Sequence, residues 1–198
     1  MTTGSTVLRG VRIAAAALLV FTVTATGCAR PPDEAWLRFL GFWKSVDKEN
    51  QQIAVLEGEL RDKKTDSAAA KFSNESVTVG VSGGGAGTGI LVQSARVDYR
   101  MSGYSPPSAS YPLYLYLGPS SHTNGTATGT AAEGQISIPL ATASLKQWLI
   151  NTKAFNNASA TPTVDLTANV TFFAETDDGN KLETEGSIGI ELSNTELP

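Results

Sequence analysis

The stretch Val164-Asp165-Leu166-Thr167-Ala168-Asn169-Val170-Thr171-Phe172-Phe173-Ala174 carries an apolar or small residue at every second position, and Leu182, Ile188, Ile190 and Leu192 follow on the same parity. Period-two alternation sets such residues on one face of a β-strand. Between the two runs lies Thr176-Asp177-Asp178-Gly179-Asn180. Its Asp-Gly pair supplies the positive-φ geometry of a tight connection, so the C-terminal third reads as a long antiparallel hairpin.

The same alternation recurs upstream. Val77, Val79 and Val81 form one set, Val97, Tyr99 and Met101 a second, Leu113, Leu115 and Leu117 a third, and Ile136, Ile138 and Leu140 a fourth. A weaker strand near Thr126–Thr130 brings the candidates to seven. Half-buried strands separated by turn-rich loops require a second sheet to cover their apolar faces. From about Ser73 to Ser193 this pattern resembles the immunoglobulin-like or fibronectin type III-like sandwiches of bacterial envelope proteins, without the cysteine pair of antibody domains. The resemblance implies a mainly β fold, an antiparallel immunoglobulin-like β-sandwich over residues 73–198. Ser144 to Asn151 reads as a short inserted helix whose Leu145, Trp148 and Leu149 cap one end of the core.

Upstream of the sheet the composition changes. Asp33 to Lys64 contains no proline, is rich in Glu, Lys, Arg, Gln and Leu, and follows Pro31-Pro32. That reads as an N-terminal amphipathic helix over 33–66, with 67–72 as linker. Phe39, Phe42, Val46, Ile53, Leu56 and Leu60 fit alternating three- and four-residue steps if Glu49 and Lys63 fill the missing positions. Gly41 and Gly58 weaken such a helix, each by roughly 1 kcal/mol relative to alanine. Fully helical, the segment would reach about 48 Å. Three uses stand open: a self-associating stalk over 33–64, a helix packed on its own domain, or a partly ordered tether. Trp36, Phe39, Phe42 and Trp43 crowd together with Arg38 and Lys44 beside them, a set suited to a membrane interface, a partner protein or intramolecular burial.

At the N-terminus, Arg9 and Arg12 precede an apolar run from Ile13 to Val23, and Ala25-Thr26-Gly27-Cys28 ends it. The run is shorter than the ~20 apolar residues of a membrane span. It resembles the lipobox signal of bacterial lipoproteins, with Ala25 where leucine is more usual. The resemblance implies that 1–27 is a signal peptide, that Cys28 receives lipid and begins the mature chain, and that 28–32 is a tether. Ala29 in place of aspartate implies an outer-membrane destination in a diderm host. Cys28 is the only cysteine, so no disulfide, thiolate metal site or thiol nucleophile remains. Loss of Arg9 and Arg12 leaves 13 basic against 19 acidic residues, which argues against a nucleic-acid partner.

Motifs for chemistry are sparse. Ser82-Gly83-Gly84-Gly85-Ala86-Gly87-Thr88-Gly89 lacks the lysine and the following helix of a phosphate loop. His122 is the lone histidine and sits in a loop-like stretch without a nucleophile elbow. Glu175, Asp177, Asp178 and Asn180 do not match the spacing of an EF-hand, and turn chemistry accounts for them. Glu183, Glu185 and Glu191 fit a solvated strand edge protected by charge. Asn-X-Ser/Thr triplets begin at Asn74, Asn124, Asn157 and Asn169. No catalytic, metal or cofactor residue is assigned.

The candidate binding surface is aromatic. With Leu113, Leu115 and Leu117 inward, Tyr114 and Tyr116 face outward, with Tyr111 nearby. Arg96 and Arg100 flank them if their strands are neighbours. Tyrosine with arginine suits a protein interface or a stacked sugar. The expected function is therefore a non-enzymatic, lipid-anchored envelope protein with a protein-interaction or assembly module. A carbohydrate-binding module and a hydrolase around His122 are the alternatives.

Overall fold

The computed structural model describes residues 36–44, 51–74, 88–119, 131–153 and 163–194, all within one compact unit. Among these residues nine strands and one helix form. They are β1 Leu37–Lys44, β2 Gln52–Ile53, β3 Val55–Glu59, β4 Asp66–Asn74, β5 Ile90–Arg100, β6 Ala109–Leu117, β7 Ala132–Ala141, α1 Ala143–Asn151, β8 Thr163–Thr176 and β9 Lys181–Ser193. The fold is mainly β, in two sheets ordered β2-β1-β4-β7 and β3-β9-β8-β5-β6.

The long hairpin forms as its alternation demands. Thirteen registered pairs run from Thr163↔Ser193 to Glu175↔Lys181, and Gly179 takes φ +81° at the turn. Val164, Leu166, Ala168, Val170 and Phe172 are buried, as are Ile188, Ile190 and Leu192 opposite them. One core joins both sheets. Phe172 of β8 meets Phe72 of β4 edge to face at 4.8 Å between ring centres, and Phe39 of β1 stacks on Phe172 at 5.3 Å. Close aromatic pairs of this kind add to what their buried area contributes.

The helix expected over 33–66 does not form in the described residues: 37–44 and 55–59 are strands, and 66–74 is a central strand where a linker was expected. A β-bulge explains the helical spacing. Phe39 pairs with Phe72 and Phe42 with Ala70, while Gly41 pairs with Lys71, which leaves Leu40 as the extra residue. One added residue turns an odd spacing into a shared face, so Phe39 and Phe42 both point to the core. Leu56 and Leu60, four apart, are equally compatible with period two and are both buried. In β4, Ala68, Ala70 and Phe72 are fully buried, and the rings of Phe42 and Phe72 meet Phe172 of the other sheet. Among the described residues the heptad positions Phe39, Phe42, Ile53 and Leu56 stand on strands and not on a helix.

Pairing is antiparallel except between β3 and β9, which run parallel from Val55↔Gly189 to Glu59↔Ser193. The inserted helix forms at α1, capped by the Thr142 hydroxyl accepting from the Leu145 amide. Its Leu145 and Leu149 enter the common core. Among the described residues no helix is long and apolar enough to cross a membrane. The signal at 1–27, Cys28 and its tether, the Val77–Val81 alternation, most of the glycine-rich stretch, His122 and the Thr126–Thr130 strand lie outside the described residues.

Candidate binding surface

The outer face of the five-stranded sheet holds the sequence-predicted surface. Strands β5 and β6 are neighbours, with Leu91 opposite Tyr116 and Arg96 opposite Ser110, so the tyrosines and arginines share one face. Tyr114 is 82% exposed and Tyr116 55%. Pro112 is accommodated because β6 is an edge strand, where a missing N–H does no harm. Of the segment that could have lain over this face as a helix, residues 37–44, 52–53 and 55–59 are strands instead.

Tyr111 departs from expectation. It lies within β6 opposite buried Ala95 and packs against the core instead of joining the outward pair. Its hydroxyl sits beside that of Tyr99, which donates to the Leu140 carbonyl at 2.8 Å. Burial holds both phenols above their ordinary value, and for Tyr99 the neighbouring Tyr111 adds to the effect.

The Tyr116 hydroxyl donates to Asp177 at 2.9 Å, and the Gly89 amide donates to the same carboxylate oxygen at 3.1 Å. That carboxylate holds the Tyr116 phenol above its ordinary value. Asp178 accepts from Thr88 at 3.0 Å. Both turn carboxylates are thus engaged in tying the β8–β9 turn to the start of β5. No group of three metal-ligating side chains occurs among the described residues.

On β5, Arg96 pairs with Asp98 at 3.0 Å, while Arg100 borders two open grooves. One, of about 420 Å³, is lined by Asp98, Asn169, Thr171, Glu185 and Ser187. The other, of about 410 Å³, is lined by Val55, Asp165, Thr167, Gly189 and Glu191. The sequence reading missed these grooves because their floor comes from β8 and β9, whose order beside β5 no local pattern reveals.

The second predicted set splits. Phe42 is only 2% exposed and Phe39 is stacked in the core, so neither is available to a membrane or partner. Trp43 is half-buried with the Lys71 ammonium 5.5 Å from its ring centre. Trp36 remains half exposed. Asn74 is fully buried, its side-chain amide donating to the Thr88 and Gly118 carbonyls at 2.8 and 2.9 Å, which removes it as a glycan acceptor in the folded chain.

Two features had no sequence signal. Lys146 of α1 is buried against Asp62 and Asp66, a site assembled across some eighty residues of chain. Glu57, Glu191 and Asp165 stand in register on β3, β9 and β8. Compared with known proteins, the chain matches no family model and no curated sequence.

Proposed function

We propose that this chain is a non-enzymatic envelope protein, anchored by lipid at Cys28, whose immunoglobulin-like β-domain works as a protein-interaction or assembly module. The observation that carries the reading is the side-by-side exposure of Tyr114 and Tyr116 on β6. Tyrosines offer large contact area with few rotatable bonds to immobilise, and they recur in the energetic centres of interfaces. The anchor would place the domain outside the cytoplasm, on the outer membrane in a diderm host.

The test is a photo-crosslinking side chain at position 114 in membranes of the native host. A discrete adduct that is lost in a Cys28→Ala background is the expected result. Absence of any adduct in the anchored protein overturns the reading.

A carbohydrate-binding module is the second reading. It is favoured by the i, i+2 placement of the two exposed tyrosines on one face of β6. A glycan array probed with the mature domain separates the two: a saturable hit abolished by Tyr114→Ala supports the second reading.

A further inference from the structure

We infer that the outer face of the four-stranded sheet, led by Trp36, lies on a phospholipid surface, which turns the five-stranded sheet and its tyrosines away from the membrane. This rests on the lipid-anchor reading above and adds the orientation of the domain. On that face β1, β4 and β7 align Arg38 with Ser73 and Glu133, Gly41 with Lys71 and Gln135, and Trp43 with Ala69 and Ser137. The opposite parity, with Phe42, Ala70 and Phe72, belongs to the core. Trp36 stands two residues before Arg38 and is half exposed, while Trp43 is half-buried with the Lys71 ammonium against its ring. Tryptophan favours the headgroup level of a bilayer, and lysine and arginine stems beside it reach back to phosphate or water.

Two observations select lipid as the occupant. The first is the length of chain between anchor and domain. Only eight residues separate Cys28 from Trp36, at most about 28 Å of extended chain, so an acylated Cys28 holds this end of β1 within reach of the headgroups. The second is charge. In the rows above, the charged side chains are Arg38, Lys71 and Glu133, and Glu133 pairs with Lys71 at 2.8 Å. The outer face of the five-stranded sheet instead carries Glu57, Asp165, Glu183, Glu185 and Glu191 against Arg100 and Lys181, with Arg96 matched by Asp98. An anionic lipid surface repels that second face and not the first. With the first face on the membrane, Tyr114 and Tyr116 stand on the far side, open to a partner.

The test uses the full-length lipidated protein in vesicles of phosphatidylethanolamine and phosphatidylglycerol. Lipids brominated at the headgroup end of their acyl chains quench a tryptophan that reaches them. The expected result is quenching in the wild type that is lost in Trp36→Phe. For orientation, one fluorophore is attached through Gln135→Cys or through Tyr114→Cys, both at exposed positions on opposite faces, and energy transfer to an acceptor in the lipid headgroups is read. Transfer should be stronger from position 135. Equal transfer from the two positions, stronger transfer from position 114, or quenching that survives in Trp36→Phe overturns the inference. So does a Trp36 shielded from both brominated lipid and aqueous iodide, because a protein partner or a second copy then covers it. Detergent phase partitioning separates the two proposals. Wild type that stays in the aqueous phase with Cys28→Ala removes the anchor and the inference together, whereas wild type in the detergent phase without quenching of Trp36 removes the inference alone.

Discussion

The Lys146 ammonium lies 2.8 Å from an Asp66 carboxylate oxygen, with Asp62 on the same nitrogen and the Lys64 carbonyl accepting at 2.9 Å. The lysine side chain is 1% exposed, and the two carboxylates are about one fifth exposed. This contact ties α1 to the loop between β3 and β4 and to the first residue of β4. Removing both acceptors strands a buried charge, which costs about 3–5 kcal/mol. Replacing the lysine by methionine instead keeps the length and leaves two carboxylates that can turn to water. The expected order in urea unfolding is therefore Asp62→Ala/Asp66→Ala well below Lys146→Met, with Lys146→Met close to wild type. The reverse order would show that the stem of Lys146 matters more than its charge.

Gly41 is the second point of leverage. Its φ is +130°, and a Cβ there would collide with the side-chain amide of Gln52. Gly41→Ala is expected to cost about 2 kcal/mol through the combined backbone strain and clash. In Gly41→Ala/Gln52→Ala the clash is gone but the dihedral strain stays, so only part of the stability should return. Full recovery in thermal unfolding would mean that the bulge tolerates an L side chain.

These two sites mark what the chain discloses locally and what it does not. Strands β6 to β9 and the second half of β5 were legible because apolar side chains alternate along them with few interruptions, and α1 was legible from Leu145, Trp148 and Leu149. Residues 37–60 were not, because the bulge at Leu40 converts a strand into an apparent three-residue step, and a four-residue step such as Leu56 to Leu60 serves either period. The Ala68-Ala69-Ala70 run in β4 resembles a linker until Ala68 and Ala70 are seen to be fully buried in the core with Phe72. The outward pair Tyr114 and Tyr116 followed from strand parity alone. Tyr111 shares the parity of Leu113, so it turns inward once the strand is seen to begin at Ala109 instead of after Tyr111.

The carboxylate row yields a stability prediction independent of any partner. Glu191 faces Glu57 and Asp165 on adjacent strands. Glu191→Gln should stabilise the isolated protein by about 0.5 kcal/mol at low ionic strength. The gain should shrink as salt screens the repulsion. Urea titrations in low and high salt check both statements. A salt-independent change would place the effect outside electrostatics.

Tyr99 sets the response to alkali. Its phenol is buried and donates to the Leu140 carbonyl, so the folded state holds its pKa well above the ordinary value of 10.0. Tyr111, beside it, is raised as well. A raised pKa means that the folded chain keeps a proton the unfolded chain releases. The stabilising contribution is therefore complete below about pH 10 and is lost as pH rises from there toward the folded value, at about 1.4 kcal/mol per pH unit per group. Tyr99→Phe removes that titration together with the hydrogen bond, which on its own is worth about 1 kcal/mol. The variant should be less stable than wild type at neutral pH, and the gap should narrow or reverse above pH 10. Urea midpoints across the alkaline range measure it, and parallel pH profiles for the two proteins would show that Tyr99 does not control alkaline unfolding.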